Sequence, residues 1–94
     1  MTFEWDERKA IANLRKHGIE FAEAMSVFAD PLGRIFADED HSGEERREII
    51  VGHSSEGRLL IISFVERESD RVRIISARRA TRLEKQDYEE NATD

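Results

Sequence analysis

Apolar residues recur along this chain with two different periods. In the first third the spacing is helical: Ile11 and Leu14, with Ala10, share one face behind Asp6, a residue suited to cap a helix. Lys16 and His17 fall in the last turn, where cations suit the helix dipole, and Gly18 reads as the stop. A second stripe, Phe21, Ala24, Met25 and Phe28, predicts a helix from about Glu20 to Phe28, ended by Asp30-Pro31. The residue or two between them predict an αα-hairpin. Phe3 and Trp5 precede the pair as a short extended anchor.

The period then shortens. Gly33 to Ala37 reads as a short strand, Asp38 to Gly43 as a polar connection, and Glu45 to His53 as a second strand holding Ile49-Ile50-Val51. Ser54-Ser55-Glu56-Gly57 is a four-residue hairpin loop. Arg58 to Glu66 carries Leu59-Leu60-Ile61-Ile62-Ser63-Phe64-Val65, apolar on both faces, which predicts a central strand. Glu68-Ser69-Asp70 turns the chain into a fourth strand, Arg71 to Ala77. Connections this short demand an antiparallel meander. Thr81 and Glu84 have the spacing of a capping box, opening a final helix with Leu83 and Tyr88. Residues 90–94 are expected to fray.

The order α-α-β-β-β-β-α places the chain in the α+β class: two N-terminal helices packed on a four-stranded antiparallel sheet, then a C-terminal helix. The other face of the sheet is left partly open. Strict alternation assigns Arg71, Arg73, Ile75 and Ala77 to one face of the last strand, and Val72, Ile74, Ser76 and Arg78 to the other. Both sets mix charge with apolar residues, so alternation does not identify the wet face.

Composition narrows the function classes. Ninety-four residues make a single domain, 1–94, with material for one modest core. Cysteine is absent, which excludes disulfides and thiolate metal sites. Residues 1–20 hold no apolar run of a signal peptide, and no stretch approaches the roughly 18 apolar residues of a membrane span. The expected location is cytoplasmic. The formal net charge is −6, which argues against indiscriminate binding to nucleic acid. Yet from Arg67 to Arg82 six arginines face only Glu68 and Asp70, a local balance of +4. Guanidinium is suited to bidentate capture of carboxylate or phosphate. Such a patch either holds an anion or pairs with neighbouring glutamates.

Other chemistry fits less well. The acidic loop from Asp38 to Gly43 starts like a calcium loop, but its twelfth position is Ile49, where a bidentate glutamate is required. His17, His41 and His53 show no metal spacing. There is no nucleophile triad, glycine-rich phosphate loop or zincin motif. Metal and cofactor are therefore expected to be absent. Glu45 and Arg46 begin the second strand and Glu66 and Arg67 end the third, so pairing through the Ser54–Gly57 loop brings them to one sheet edge beside Arg71 and Arg73.

Taken in order, these residues resemble a known family. Phe3-Glu4-Trp5-Asp6, Lys9, Asn13, Lys16-His17-Gly18-Ile19, Phe21, Glu23-Ala24 and Val27-Phe28 with Asp30-Pro31 are similar to the BrnT toxins. So are Glu45-Arg46, Gly52, Gly57-Arg58-Leu59-Leu60, Glu66-Arg67, the run Arg73 to Ala80, Glu84 and Tyr88. The resemblance spans about residues 3–89. It implies a type II toxin–antitoxin toxin with a RelE-like α+β fold, a ribonuclease that blocks translation. The implied partners are an RNA substrate and a BrnA-like antitoxin, with operator DNA reached only through the complex. A metal-free ribonuclease must deprotonate a 2′-hydroxyl, stabilise a phosphorane and protonate the leaving oxygen. Glu45 or His17 are the candidates for proton transfer. Arg46, Arg67, Arg73 and Arg78 are the candidates for phosphate, with Lys16 assisting. The alternative is a non-catalytic interaction module whose arginine face binds an acidic partner segment.

Overall fold

A computed structural model describes residues 1–91 apart from Ser42 and Glu44, with the backbone alone of His41. The elements are β1 (Thr2–Glu4), α1 (Glu7–His17), α2 (Phe21–Val27), β2 (Arg34–Ala37), a 3₁₀ turn (Glu39–His41), β3 (Arg47–His53), β4 (Leu59–Arg67), β5 (Arg71–Arg79) and α3 (Arg82–Asn91). The acidic loop thus keeps one helical turn, its Ser42 lies outside the described residues, and the expected fraying of 90–94 falls mostly on residues 92–94, also outside them.

The sheet corrects the expectation of four antiparallel strands. Its order is β1-β5-β4-β3-β2, five strands, and β1 runs parallel to β5 with Thr2 opposite Arg71 and Glu4 opposite Arg73. Three residues are too few to show a period, so the extended anchor gave no strand signal. The other pairings are the expected antiparallel meander.

Helix boundaries follow local chemistry. The Asp6 carboxylate accepts the backbone N–H of Arg8 at 2.8 Å and of Lys9 at 3.4 Å, and these two bonds hold its pKa below the ordinary value. Gly18 ends α1 at φ 70°, a left-handed conformation open to glycine without a Cβ penalty. Thr81 and Glu84 make the reciprocal capping box, N–H of Thr81 to Oε1 at 2.8 Å and N–H of Glu84 to Oγ1 at 3.2 Å.

Helices α1 and α2 cover one face of the sheet. Phe21, Ala24 and Val27 of α2, with Ile19, bury themselves against Ile50, Leu60, Ile62, Phe64, Val72, Ile74 and Ala77. Phe28 sits edge-on to Phe64 at 5.0 Å and tilted on Phe3 at 5.1 Å, joining β1 to that core. The α1 face differs from expectation. Ile11 and Leu14 stay 51% and 44% exposed, whereas Asn13 is buried. The side of α1 turned towards β5 thus carries the buried Asn13 beside Ala10, which packs on the core, and Ile11 and Leu14 flank a shallow groove with Trp5 and Phe21. Leu83 on α3 is also exposed, and Tyr88 is that helix's buried residue.

Candidate active site

The face of the sheet turned away from α1 and α2 carries the arginines. Register arranges it in rows. Arg47 of β3, Val65 of β4 and Arg73 of β5 stand side by side, continued by Glu4 of β1. The next row is Ile49, Ser63 and Ser76, and the one after it Val51, Ile61 and Arg78. Arg67 opposite Arg71 closes the end beyond Val65. Arg47 and Arg73 are thus two strand spacings apart, roughly 10 Å, with an apolar valine as floor.

A β-bulge makes this arrangement possible. Ser63 pairs with Ser76 but Phe64 pairs with Ile74, so the β4–β5 register shifts by one residue there. Strict alternation would have split Arg73 and Arg78 between faces, and Ile75 from Ser76. Instead Ile75 lines the surface beside Arg73 and Val65, while Ser76 lines it beside Arg78 and Ser63. Arg73, Ile75, Ser76 and Arg78 all face the same groove.

Four cations, Lys9, Arg47, Arg67 and Arg73, line one end of that groove together with Glu45, Gly43, Val65 and Ile75. Arg67 and Arg73 have carboxylate partners, as do Arg71 and Arg78 nearby. Arg67 donates to Glu45 at 3.0 Å. Glu4 lies between Arg73, which donates to it at 3.0 Å, and Arg71 at 3.4 Å. Arg78 grips Glu84 through both terminal nitrogens, at 2.7 and 2.8 Å. That fork holds the Glu84 carboxyl down to about 2, with the Thr81 cap adding to it, and raises the Arg78 guanidinium. The Nε of Arg67 is buried and has no hydrogen-bond partner among the described residues. Its donor points to an unmet need for an acceptor.

The far end of the face is closed by α3. Glu84, Asp87, Tyr88 and Asn91 line a hollow with Arg34, Phe36, Val51 and Ile61. Tyr88 donates its hydroxyl to the Leu32 carbonyl at 2.9 Å, packs edge-on to His53 and carries the Arg34 guanidinium 5.9 Å above its ring. Burial, then the charge of Asp30, pushes the Tyr88 hydroxyl above its usual pKa. A second polar cluster lies behind the sheet, where Glu23 accepts from Ser54 at 2.7 Å and from Arg58 Nε at 2.9 Å. Chiefly the Arg58 bond lowers its pKa. This cluster ties the β3–β4 loop to α2.

Of the candidates, Glu45, Arg67 and Arg73 meet at one end of the groove, and Arg78 joins them from the next rows. Arg46 is exposed in the segment leading into β3, and its neighbour Arg47 is the residue that lines the groove. Lys16 and His17 are in the last turn of α1, past Asn13, and line neither end of the arginine groove. Lys9, Arg47 and Glu4 escaped the sequence reading as site residues. Arg47 was legible in principle, since it shares parity with Ile49 and Val51 while Ile50 belongs to the core. Glu4 depended on β1, which had no signal. Among the described residues, no three histidine, aspartate or glutamate side chains are grouped as metal ligands.

The molecule is a small α+β domain whose sheet carries arginines on the face turned away from α1 and α2. The family of type II toxin–antitoxin ribonuclease toxins, BrnT, matches residues 5–84, and the chain belongs to it. Its fold is similar to the crystal structure of the Brucella abortus ribonuclease toxin BrnT, with a TM-score of 0.67 and 24% identity over 87% of this chain and 99% of that one. No curated protein sequence matches the chain.

Proposed function

We propose that this toxin is a metal-independent endoribonuclease that blocks translation in the cytoplasm, has a RelE-like fold and is neutralised by a BrnA-like antitoxin. The observation that carries the proposal is the Arg47–Val65–Arg73 row, with Arg67 above it and Lys9 at its rim, on the face free of α1 and α2. Guanidinium forks there suit the non-bridging oxygens of a phosphodiester, and they bind more strongly as charge develops on the phosphorane. The apolar floor of Val65 and Ile75 lowers the local dielectric and strengthens those bonds.

Glu45 takes the base role in this reading. Its side chain is half exposed at the groove, within reach of an incoming 2′-hydroxyl, and Arg67 orients it. The proton passes to Glu45, the 2′-oxygen attacks phosphorus, and the bond to the 5′-oxygen breaks. That oxygen takes its proton from Lys9, a lysine at the same end. Arg78 and Ser76 extend the surface along the strand for the next part of the RNA. RNA is the substrate, and operator DNA is reached only through the antitoxin complex. No helix among the described residues is long and apolar enough to cross a membrane.

The internal carboxylates favour a second reading. Arg67, Arg73 and Arg78 already have Glu45, Glu4 and Glu84, so the face could serve only as an acidic-segment docking module. Purified protein on a long RNA in EDTA, without partner, separates the two. Cleavage in EDTA supports the enzyme. Cleavage restored only by a divalent ion contradicts the mechanism, and no cleavage on naked RNA or on ribosomes leaves the docking module.

A further inference from the structure

The bulge that brings the arginines together is held from outside the sheet by one side chain. β1 pairs with β5 only from Arg71 to Arg73, so beyond Arg73 no strand among the described residues lies beside the outer edge of β5. At Ala77, just past the bulge, the Asn13 side chain takes the strand's place. Its Oδ1 accepts the Ala77 N–H at 3.0 Å and its Nδ2 donates to the Ala77 carbonyl at 2.8 Å. The second Nδ2 proton goes to the Ile19 carbonyl at 2.9 Å, which fixes the amide against rotation. An asparagine side chain is chemically a peptide unit, and this one makes the two-bond exchange of an antiparallel pair. Asn13 is 6% exposed, so these bonds are shielded from water.

The edge of β5 is therefore clamped on both sides of the register shift, by Glu4 at Arg73 and by Asn13 at Ala77, and eight residues of chain, Trp5 to Ala12, connect the clamps. Removing the clamp at Ala77 would free that edge, and a slip by one residue would reverse which side chains face the groove. We propose that Asn13 is a positioning residue of the site: by imitating a strand at Ala77 it pins the bulge and so sets Ser76 and Arg78 on the face of Arg73. The inference rests on the ribonuclease reading, because it assigns Asn13 a role in aligning groups for the reaction.

The test is a double-mutant cycle of Asn13→Ala with Arg78→Lys, measured as cleavage of a defined RNA, with the folded fraction of each variant determined by thermal melting. The expected result is a fall in kcat of roughly tenfold per folded molecule for Asn13→Ala with KM within about twofold. The double variant should be within about twofold of the worse single one, since a misplaced Arg78 has little left to lose. Losses that multiply in the double variant, or a kcat loss fully explained by unfolded protein, overturn the role of Asn13 while leaving the arginine site intact. If Arg78→Lys alone is fully active, the fault lies with the site reading, and the role of Asn13 falls with it. Should Asn13→Ala not fold, Asn13→Gln keeps both amide groups and carries the same cycle. Failure of both to fold assigns Asn13 to stability alone and overturns the proposal.

Discussion

Arg73 and Arg78 project from the same face of β5 although five positions, an odd interval, separate them. A regular strand would put them on opposite faces. The register shift absorbs the odd residue, and the two guanidinium groups come to share one groove with Arg47 and Arg67. Each also keeps a carboxylate at hand, Glu4 for Arg73 and Glu84 for Arg78. A phosphate entering the groove must compete with these carboxylates for the same donors.

The Arg78–Glu84 pair sets a pH dependence of stability. The folded carboxyl sits at about 2, below its ordinary value near 4.5. Its contribution is fully present above the ordinary value and is lost as pH falls through about 2. Both side chains are more than a third exposed, so screening reduces the contribution to about 1 kcal/mol. Glu84→Gln should therefore cost about 1 kcal/mol at neutral pH, with parent and variant converging near pH 2 in chemical denaturation. An unchanged gap across that range would show that the pair does not carry it.

Proton transfer should follow Glu45 and not the histidine of α1. Glu45→Gln is expected to lower cleavage by roughly 10²-fold or more without loss of melting temperature. His17→Gln and Lys16→Gln, in the last turn of α1, should cleave within about twofold of the parent. The reverse ranking in one cleavage assay would move the base to α1.

A side chain at Gly52 should destabilise the fold. A Cβ there would lie 3.0 Å from the Asp30 carboxylate, 3.1 Å from Val27 and 3.3 Å from the Gly33 backbone. Asp30 is committed to this spot, accepting the backbone N–H of His53 at 2.7 Å and of Leu32 at 2.9 Å. Burial alone would raise its pKa, but these bonds bring it below the ordinary value. Gly52→Ala should cost roughly 1–3 kcal/mol by denaturant titration, while the folded fraction keeps its cleavage rate. A loss below about 0.5 kcal/mol would mean that the helix–sheet contact yields easily.

Much of this was legible in the sequence. Asp6, Gly18, Thr81 with Glu84, and the Ser54–Gly57 loop mark their boundaries through local chemistry that acts within a few residues. The run Leu59 to Val65 identified the central strand because it is apolar on both faces, and all of its residues but Ser63 are buried. What was hidden depends on long-range pairing. β1 exists through its partner β5, the bulge through the mismatch of two strands, and the buried Asn13 through an edge 64 residues away in sequence. Parity separates Arg46 from Arg47: Ile50 and Gly52 face the helices, and Arg47, of the opposite parity, lines the groove.

The central claim is that Arg73 and Arg78 hold phosphate through their planar forks. Arg73→Lys and Arg78→Lys keep the charge and lose the fork. Cleavage rate and melting temperature measured on the same two proteins test the claim most directly. The account predicts a fall in kcat/KM of roughly tenfold or more, about 1.4 kcal/mol, with melting temperature within a few degrees of the parent. Wild-type cleavage by both lysine variants would contradict it, assign both arginines to ion pairs with Glu4 and Glu84, and leave Arg47 and Arg67 to carry the site.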